Sequence, residues 1–329
     1  DVTDVGNFEH RNILHPTLTL EQLAKMFRRE VADVQQLIAD AKQKLFTVRE
    51  GRIKPGRDEK ILASWNGLML SAFADAAKVL GHPRYGEIAR HNADFLWTRL
   101  YRDARLLHSF KDGQARFNAY LDDYAFVAAA LVDLYEATFE RVYLDRAVAL
   151  TEILLSRFWD EKEGGFYFTS TDHEALISRS KSAFDGAIPS GNSVAVFTLL
   201  RLSFLTENAR YLEKAEKTLR LFYDAMEQNP FGFSLMLGAL DLYLRRPKEI
   251  VILGDPQAAA TTALLAQLHS EFIPNKTLRC VDPGRGEKIP SLVAGRTQVD
   301  GKLTVYVCHN FTCSLPVTEW SALRALLLT

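Results

Sequence analysis

The chain has 329 residues, of which 47% are hydrophobic and 25% are charged, and its formal net charge is −1. This length and composition are typical of a globular protein with a large core and argue against disorder. The chain has no excess of basic residues, which binding to nucleic acids or anionic membranes requires. We therefore expect neither of these as a partner, and we expect a small polar ligand instead.

Apolar runs and cysteines give a first indication of the compartment. The longest apolar runs, such as residues 126–132, are far shorter than a membrane span, and residues 1–8 do not resemble a signal peptide. The three cysteines, Cys280, Cys308 and Cys313, cannot all pair within one chain, so no disulfide framework is indicated. We therefore expect a cytoplasmic protein.

The first helices follow a polar beginning. Residues 1–18 are irregular and resemble the continuation of an upstream segment. Thr19 is a suitable N-cap for a helix over residues 20–27, and a charged helix is predicted from about 30 to 46.

From residue 58 the chain repeats a pair of helices. A Tyr-x-x-x-Ala marker begins at Tyr85, Tyr143 and Tyr211, with spacings of 143 − 85 = 58 and 211 − 143 = 68 residues. Each marked segment is amphipathic, as an outer helix with one wet face would be. Each follows an almost wholly apolar segment, as expected of an inner helix; these segments are residues 61–77, 124–134 and 194–205. Helix pairs that repeat at this period predict a mainly α protein with an α/α toroid.

The connections orient the predicted ring. Long connections, residues 101–118 and 159–188, precede inner helices, whereas the turns from inner to outer helices are short. Long loops concentrate function, so we expect the mouth of the cavity where inner helices begin. Twenty residues before the markers stand Trp65, Asp123 and Gly191, which should therefore share one level.

The pattern changes near residue 246. A fourth inner helix is predicted over 231–244, after which short strands and helices alternate. The strands are predicted at 249–253, 277–281 and 303–307, and the helices at 257–270 and 318–328. We therefore predict a toroid part over residues 1–246 and a small α/β appendage with a partly parallel sheet over 247–329.

Asp122 and Asp123 are the strongest candidates for catalysis. Carboxylates at a cavity mouth can act as acid, base or nucleophile at the anomeric carbon of a sugar. The alternative is structural: with Asn118 as N-cap, both acids fall in the first turn, where the helix dipole favours negative charge. If the acids only start a helix, Asp123→Asn should cost well under ~1 kcal/mol.

Neighbouring residues at the same level suggest a sugar site. Trp65 is suited to stack on a sugar ring and Asn66 to bind hydroxyls, although both also suit a core with a satisfied amide. The segment that begins at Asp185 supplies a third candidate acid, but its composition also suits a tight loop. Further candidates for substrate binding are Tyr124, Ser190 and Asn192.

Two histidines and an arginine lie in the long connections. His108 and His173 could serve as the two bases of a sugar epimerase, although loop histidines commonly have no such role. Arg179 could hold an anionic group or be a solvated charge.

Cys308 and Cys313 have poor spacing for zinc, and buried thiols at strand ends are expected there. We predict no metal and no cofactor, because the common nucleotide, dinucleotide, redox and metalloprotease motifs are missing.

Several motifs together resemble a known family. They are Gly6-Asn-Phe-Glu9 with Asn12-Ile-Leu14, Asp58-x-Lys-Ile-Leu-x-Ser-Trp-Asn-Gly-Leu-Met69, Leu121-Asp-Asp-Tyr-Ala-Phe126, Asp185-Gly-Ala-Ile-Pro-Ser-Gly-Asn-Ser193 and Val307-Cys-x-Asn-x-x-Cys-x-x-Pro316. In this order they resemble the thioredoxin-domain-containing spermatogenesis-associated protein family. The resemblance implies a thioredoxin-like domain upstream in the full-length protein and an α/α toroid similar to six-hairpin glycosidases and N-acylglucosamine 2-epimerases. No residue matches the family's thiol motif, so no redox activity is carried over.

Three functions remain open at this point. The leading hypothesis is a sugar-active or sugar-binding toroid, either glycosidase-like or epimerase-like, with a small carbohydrate as ligand. The alternative is a non-catalytic scaffold that presents surfaces to a partner. Since the chain resembles a fragment without the first toroid hairpins, we also expect an exposed apolar flank and hence a homodimer or an aggregation-prone monomer.

Overall fold

A computed structural model describes residues 2–174, 177–286 and 289–328. The chain forms two compact units, Asp1–Asp58 and Glu59–Thr329. The predicted boundary near residue 246 falls within the second unit and stays a prediction. Among the described residues, no helix combines the length and the apolar character needed to span a bilayer.

The first unit contains two helices, α1 (Leu20–Phe27) and α2 (Val31–Glu50). Thr19 caps α1 as predicted: its hydroxyl accepts a hydrogen bond from the Gln22 amide at 3.2 Å, and the Gln22 side chain accepts one from the Thr19 amide at 2.9 Å. This reciprocal pair satisfies two amides that the first turn leaves unpaired. The second helix extends four residues beyond its predicted end at 46.

The second unit contains the predicted inner and outer helices of an α/α toroid. The inner helices are α3 (Ala63–Leu80), α5 (Leu121–Thr138), α7 (Gly191–Thr206) and α10 (Ser234–Arg245). The outer helices are α4 (Pro83–Phe95), α6 (Arg141–Arg157) and α8 (Ala209–Leu221). A π-helical turn at Leu96–Leu100 extends α4, and a short helix, α9 (Tyr223–Gln228), precedes α10 and was not predicted.

Helix α5 is the centre of the toroid core. Nearly all its side chains are buried, and it packs against α3, α6 and α7. Small residues permit the close approach of α3, because a Cβ on Gly67 would lie 2.8 Å from the backbone of Phe126. Each fully buried leucine, such as Leu131, contributes about 1.5–3 kcal/mol. This rigid core holds the starts of the inner helices in place.

The connection over residues 101–118 is a β-sheet, whereas the sequence pattern predicted only a loop. Strands β2 (Tyr101–Arg102), β3 (Arg105–Lys111) and β4 (Gln114–Asn118) pair antiparallel, and β1 (Ile61–Leu62) joins β3. An Asp112-Gly113 turn with φ of 50° and 77° joins β3 to β4. Asp-Gly is a strong hairpin signal that the sequence contained. Because Asn118 ends β4, the predicted N-cap was wrong: Tyr120 caps α5.

The C-terminal part forms the predicted partly parallel sheet. The strands are β5 (Lys248–Leu253), β6 (Lys276–Val281), β7 (Thr304–His309) and β8 (Thr312–Cys313), in the order β6-β5-β7-β8. Strands β5 and β6 are parallel and the other pairs are antiparallel. This part also contains helices α11 (Ala259–Ser270) and α12 (Trp320–Leu328). Both helices contribute buried side chains to an apolar cluster with the sheet.

Two cysteines form a disulfide, which corrects the prediction of buried thiols. Cys308 and Cys313 face each other across β7 and β8, and their sulfurs are bonded, while Cys280 is buried and reduced. Facing residues of a hairpin have close Cβ atoms, as a disulfide needs. Sequence spacing alone did not reveal this pairing, because it depends on the strand register.

Candidate active site

The starts of three inner helices meet at one level, as the spacing predicted. The Ser64 amide at the start of α3 donates a hydrogen bond to Asp123 Oδ1 of α5 at 2.9 Å. The Gly191 amide at the start of α7 donates to the Asp122 carboxylate. The two adjacent acids of α5 therefore each bind a different neighbouring helix.

Asp122 is the half-buried acid of this pair. Burial and the nearby charge of Asp123 raise the pKa of Asp122 to about 6, while the hydrogen bond from Gly191 acts in the opposite direction. A carboxyl with such a pKa is partly protonated near neutrality, as a general acid requires. Asp122 thus has the electrostatic property expected of a proton donor.

Asp123 is almost fully buried, with 1% of its surface exposed. The Ser64 amide donates to Asp123 Oδ1. The other oxygen, Oδ2, accepts from the Tyr120 amide at 2.9 Å and from His108 Nδ1 at 2.8 Å. These bonds join α3, α5 and β3 around one carboxylate. A buried charge with this many donors stabilises the local fold and is hidden from solvent.

His108 extends from β3 to Asp123. The hydrogen bond to Asp123 is the largest cause of a raised pKa for His108, although burial lowers it in part. A raised pKa in the folded state means that protonated His108 stabilises the fold.

We expect the effect of His108→Gln on stability to depend on pH. The contribution of His108 is fully present below its unfolded pKa of about 6.5 and is lost as pH rises through the higher folded pKa. Melting temperatures should therefore differ more between wild type and variant at about pH 6 than at about pH 9. His91→Gln, at an exposed position of α4, is the control; a difference for His108→Gln that is constant across this range would contradict the assignment.

Tyr120 lies among three aromatic side chains at the mouth. Its ring stacks on Phe168 at 4.9 Å and on His173 at 5.1 Å, and it meets His108 edge-on at 5.2 Å between centroids. The two predicted histidines thus contact the same side chain. Sequence reasoning did not select Tyr120 as a site residue, although it stands two positions before Asp122.

Trp65 and Asn66 differ in their orientation. Trp65 is 61% exposed at the start of α3, so its ring is accessible to a ligand. The Asn66 side chain donates to the Leu62 carbonyl and accepts from Asn92 of α4 at 2.8 Å, which directs it toward the outer helix. Other exposed apolar residues of the segments that precede inner helices include Phe117, Phe168, Ile177, Phe184, Ile188 and Phe231.

The residues before α7 and α10 make structural contacts. The Asp185 carboxylate accepts hydrogen bonds from the amides of Ser190 at 2.9 Å and Leu235 at 2.8 Å, so it ties the loop to the start of α10. The Ser190 hydroxyl caps α7 by accepting from the Ser193 amide at 3.0 Å. Asn192 is fully buried and bonds to both backbone groups of Phe166.

Tyr124 and Arg179 also bind the protein itself. The Tyr124 hydroxyl accepts from the Leu106 amide at 2.9 Å, and burial raises the pKa of Tyr124. Arg179 donates to the Thr169 carbonyl and covers the ring of Tyr167 at 4.2 Å, and burial lowers the pKa of Arg179. Within the described ranges, no group of three histidine, cysteine or acidic side chains is arranged to hold a metal ion.

We expect Gly191→Ala to disturb Asp122. A Cβ at residue 191 would lie 2.4 Å from Asp122 Oδ1 and 2.6 Å from Leu121 Cγ, so the carboxylate must move. Overpacking of this kind costs about 1–3 kcal/mol, which chemical denaturation measures. Gly186→Ala in the same loop has open space around its Cβ and is the control. Equal stability of the two variants would contradict this geometry.

Comparison with known proteins identifies relatives. The chain is 36% identical over 337 residues to spermatogenesis-associated protein 20 of Homo sapiens, which covers 98% of this chain and 43% of that protein. It is 28% identical over 330 residues to an uncharacterised protein of Caenorhabditis elegans, of which it covers 45%. The chain thus spans less than half the length of these curated relatives.

Solved structures with similar folds include sugar-active proteins. A GH76 α-mannanase from Bacteroides thetaiotaomicron has a TM-score of 0.47 at 14% identity, over 66% of this chain and 58% of that one. A cellobiose 2-epimerase from Bacillus thermoamylovorans has a TM-score of 0.48 at 14% identity, over 79% of this chain and 68% of that one. Residues 30–229, more than half of the chain, match the family described as glycosyl hydrolase family 76. The chain therefore belongs to glycosyl hydrolase family 76.

Proposed function

We propose that this protein hydrolyses glycosidic bonds, with Asp122 as the general acid. The observation that carries the proposal is a half-buried carboxyl with a pKa of about 6 at the start of an inner helix, beside a buried carboxylate. Asp122 would protonate the oxygen of the leaving sugar as the glycosidic bond breaks, and water would then add to the anomeric carbon and give its proton to the Asp122 carboxylate, which restores the acid.

Asp123 acts through its charge in this proposal. Its carboxylate raises the pKa of Asp122 and would also favour the positive charge that develops on the sugar ring. Adjacent Cα atoms are about 3.8 Å apart, so the chain itself holds the charge of Asp123 close to Asp122. Since Asp123 is buried, we assign it a positioning and electrostatic role and no contact with substrate.

Exposed aromatic rings would hold the sugar. Trp65 and Phe168 are accessible at this end of the toroid. Aromatic faces stack on the apolar faces of sugar rings, which supports a saccharide ligand. Because an α-mannanase belongs to the same family, α-linked mannosides are the first substrates to test.

The decisive experiment measures sugar release from α-mannan and from a panel of α- and β-linked oligosaccharides. We expect reducing sugar to appear with wild type and to be lost with Asp122→Asn. Thermal-shift measurements with the same sugars test binding separately, because a ligand stabilises the folded state according to its concentration. If the wild type neither releases sugar from any of these substrates nor binds one, the scaffold function is favoured.

Sugar epimerisation is a second candidate, supported by the two histidines at Tyr120. His108 Nδ1 donates to Asp123, so its Nε2 can accept a proton, whereas His173 Nδ1 accepts from the Ser170 amide at 3.3 Å, so its Nε2 carries one. A base and an acid of this kind are what inversion at carbon requires. Deuterium uptake from heavy water at C2 of mannose or cellobiose, followed by NMR, distinguishes this reaction, and His108→Gln should abolish it while Asp122→Asn should not.

A further inference from the structure

A cavity of about 180 Å³ lies at the other end of the inner helices. Asp133 lines it and follows Asp122 on α5 by 133 − 122 = 11 residues, or ~17 Å of helix. The cavity is therefore separate from the candidate active site. Its charged or titratable lining residues are Lys78 of α3, Asp133 and Glu136 of α5, Arg201 of α7, His269 of α11 and Lys276 of β6.

The toroid side of this cavity is internally paired. Arg201 bonds to Asp133 at 2.6 Å and to Glu136 at 2.8 Å. The second oxygens of these acids accept from the Ser71 hydroxyl at 2.6 Å and from the Leu278 amide at 3.2 Å. Lys78 pairs with Asp75 at 2.7 Å. These groups satisfy one another without a ligand.

The appendage side is not paired in the same way. The Lys276 ammonium donates to the Ile273 carbonyl at 2.9 Å, and among the described residues it forms no ion pair. His269 forms neither a hydrogen bond nor an ion pair within that part of the chain. A desolvated ammonium beside an unbonded imidazole is unfavourable unless an acceptor reaches both.

Burial governs the titration of both groups. Burial lowers the pKa of Lys276. The charges of Lys78 and Arg201 lower this pKa further, whereas those of Glu136 and Asp75 raise it. Burial also lowers the pKa of His269 to about 4, with Lys78 and Lys276 acting in the same direction. Burial, together with the neighbouring cations, therefore keeps His269 neutral when no anion is present.

We propose that this cavity binds a small oxyanion, held by the Lys276 ammonium and the His269 imidazolium beside Lys78. Three cations, Lys78, Arg201 and Lys276, face three carboxylates, Asp75, Asp133 and Glu136. An added negative charge is balanced when His269 takes up a proton. Binding then favours the protonated imidazole, so affinity increases as pH falls from about 8 toward 6.

The test uses sulfate, whose charge is constant over this pH range, in calorimetric titrations at fixed ionic strength. We expect wild type to bind sulfate more tightly at pH 6 than at pH 8, and Lys276→Met to bind at least 10-fold more weakly. Lys302→Met, at an exposed position, is the matched control and should bind like wild type. Equal sulfate binding by all three proteins, or none by wild type, would overturn the proposal.

Two further measurements complete the test. Lys276→Met should keep or raise the melting temperature, because it removes a desolvated charge that has no ion pair. The second variant, His269→Gln, should remain folded and lose the pH dependence of sulfate binding. Titration with acetate identifies the source of the oxyanion, since binding comparable to sulfate indicates a carboxylate and much weaker binding indicates a phosphate-type group.

Discussion

Asp122→Asn is expected to lower kcat for glycoside hydrolysis by about 100- to 10 000-fold, which is the usual contribution of a general acid. The amide keeps the size of the side chain but cannot donate the proton to the leaving oxygen. Steady-state rates on the best substrate of the α- and β-linked panel measure the effect. Activity of the wild type should itself decrease as pH rises above about 6, because Asp122 then loses its proton.

The same variant should not lose stability. The pKa of Asp122 is raised from 3.8 to about 6 in the folded protein, so the folded state binds the proton more tightly than the unfolded state. The free energy of unfolding of wild type therefore falls as pH rises between about 4 and 6, and Asp122→Asn lacks this loss. We expect equal or higher melting temperatures for the variant at pH 8. A variant that is active, or inactive only because it unfolds, would contradict the proposed role.

Asp123→Asn is expected to destabilise the fold by about 2–4 kcal/mol, because an amide nitrogen would face a buried donor in either orientation. One oxygen accepts from Ser64 and the other from Tyr120 and His108, so neither position tolerates an N–H group. For a chain of this size the melting temperature should fall by roughly 3–6 °C. This differs from the small cost that the helix-start reading of the sequence predicted.

Asp122→Asn is the matched control for this prediction, since it makes the same chemical change one residue earlier on the same helix. Calorimetric melting of both variants at pH 7 separates the two acids. A melting temperature for Asp123→Asn within a degree of wild type would show that the carboxylate is dispensable for folding, and would reopen direct contact between Asp123 and substrate.

Family membership agrees with the fold that the sequence predicted. Residues 30–229 match glycosyl hydrolase family 76, and the Asp122-Asp123 pair lies within them. The appendage lies outside that match, so the oxyanion cavity between it and the inner helices would be a property of this longer chain rather than of the matched region.

The sequence by itself determined the arrangement of helices. Inner and outer helices differ in how many of their faces are apolar, and this local property is read directly from residues three and four apart. The alternating strands and helices after residue 246 were also predicted from local sequence patterns, and so was the cap at Thr19. Equal spacing from the marker tyrosines also placed Trp65, Asp123 and Gly191 at one level, because helices of similar length begin together.

Only the tertiary structure separated the contacts of Asp122 from those of Asp123. Adjacent residues of a helix point about 100° apart, so one acid meets α7 and the other meets α3 and β3, and no local pattern shows which. The contacts of Asp123 with His108 and Ser64 join elements 15 and 59 residues away. The hydrogen bonds of Asp185 and Asn192 and the disulfide of Cys308 and Cys313 likewise depend on loop paths and strand register, which packing decides and composition does not encode.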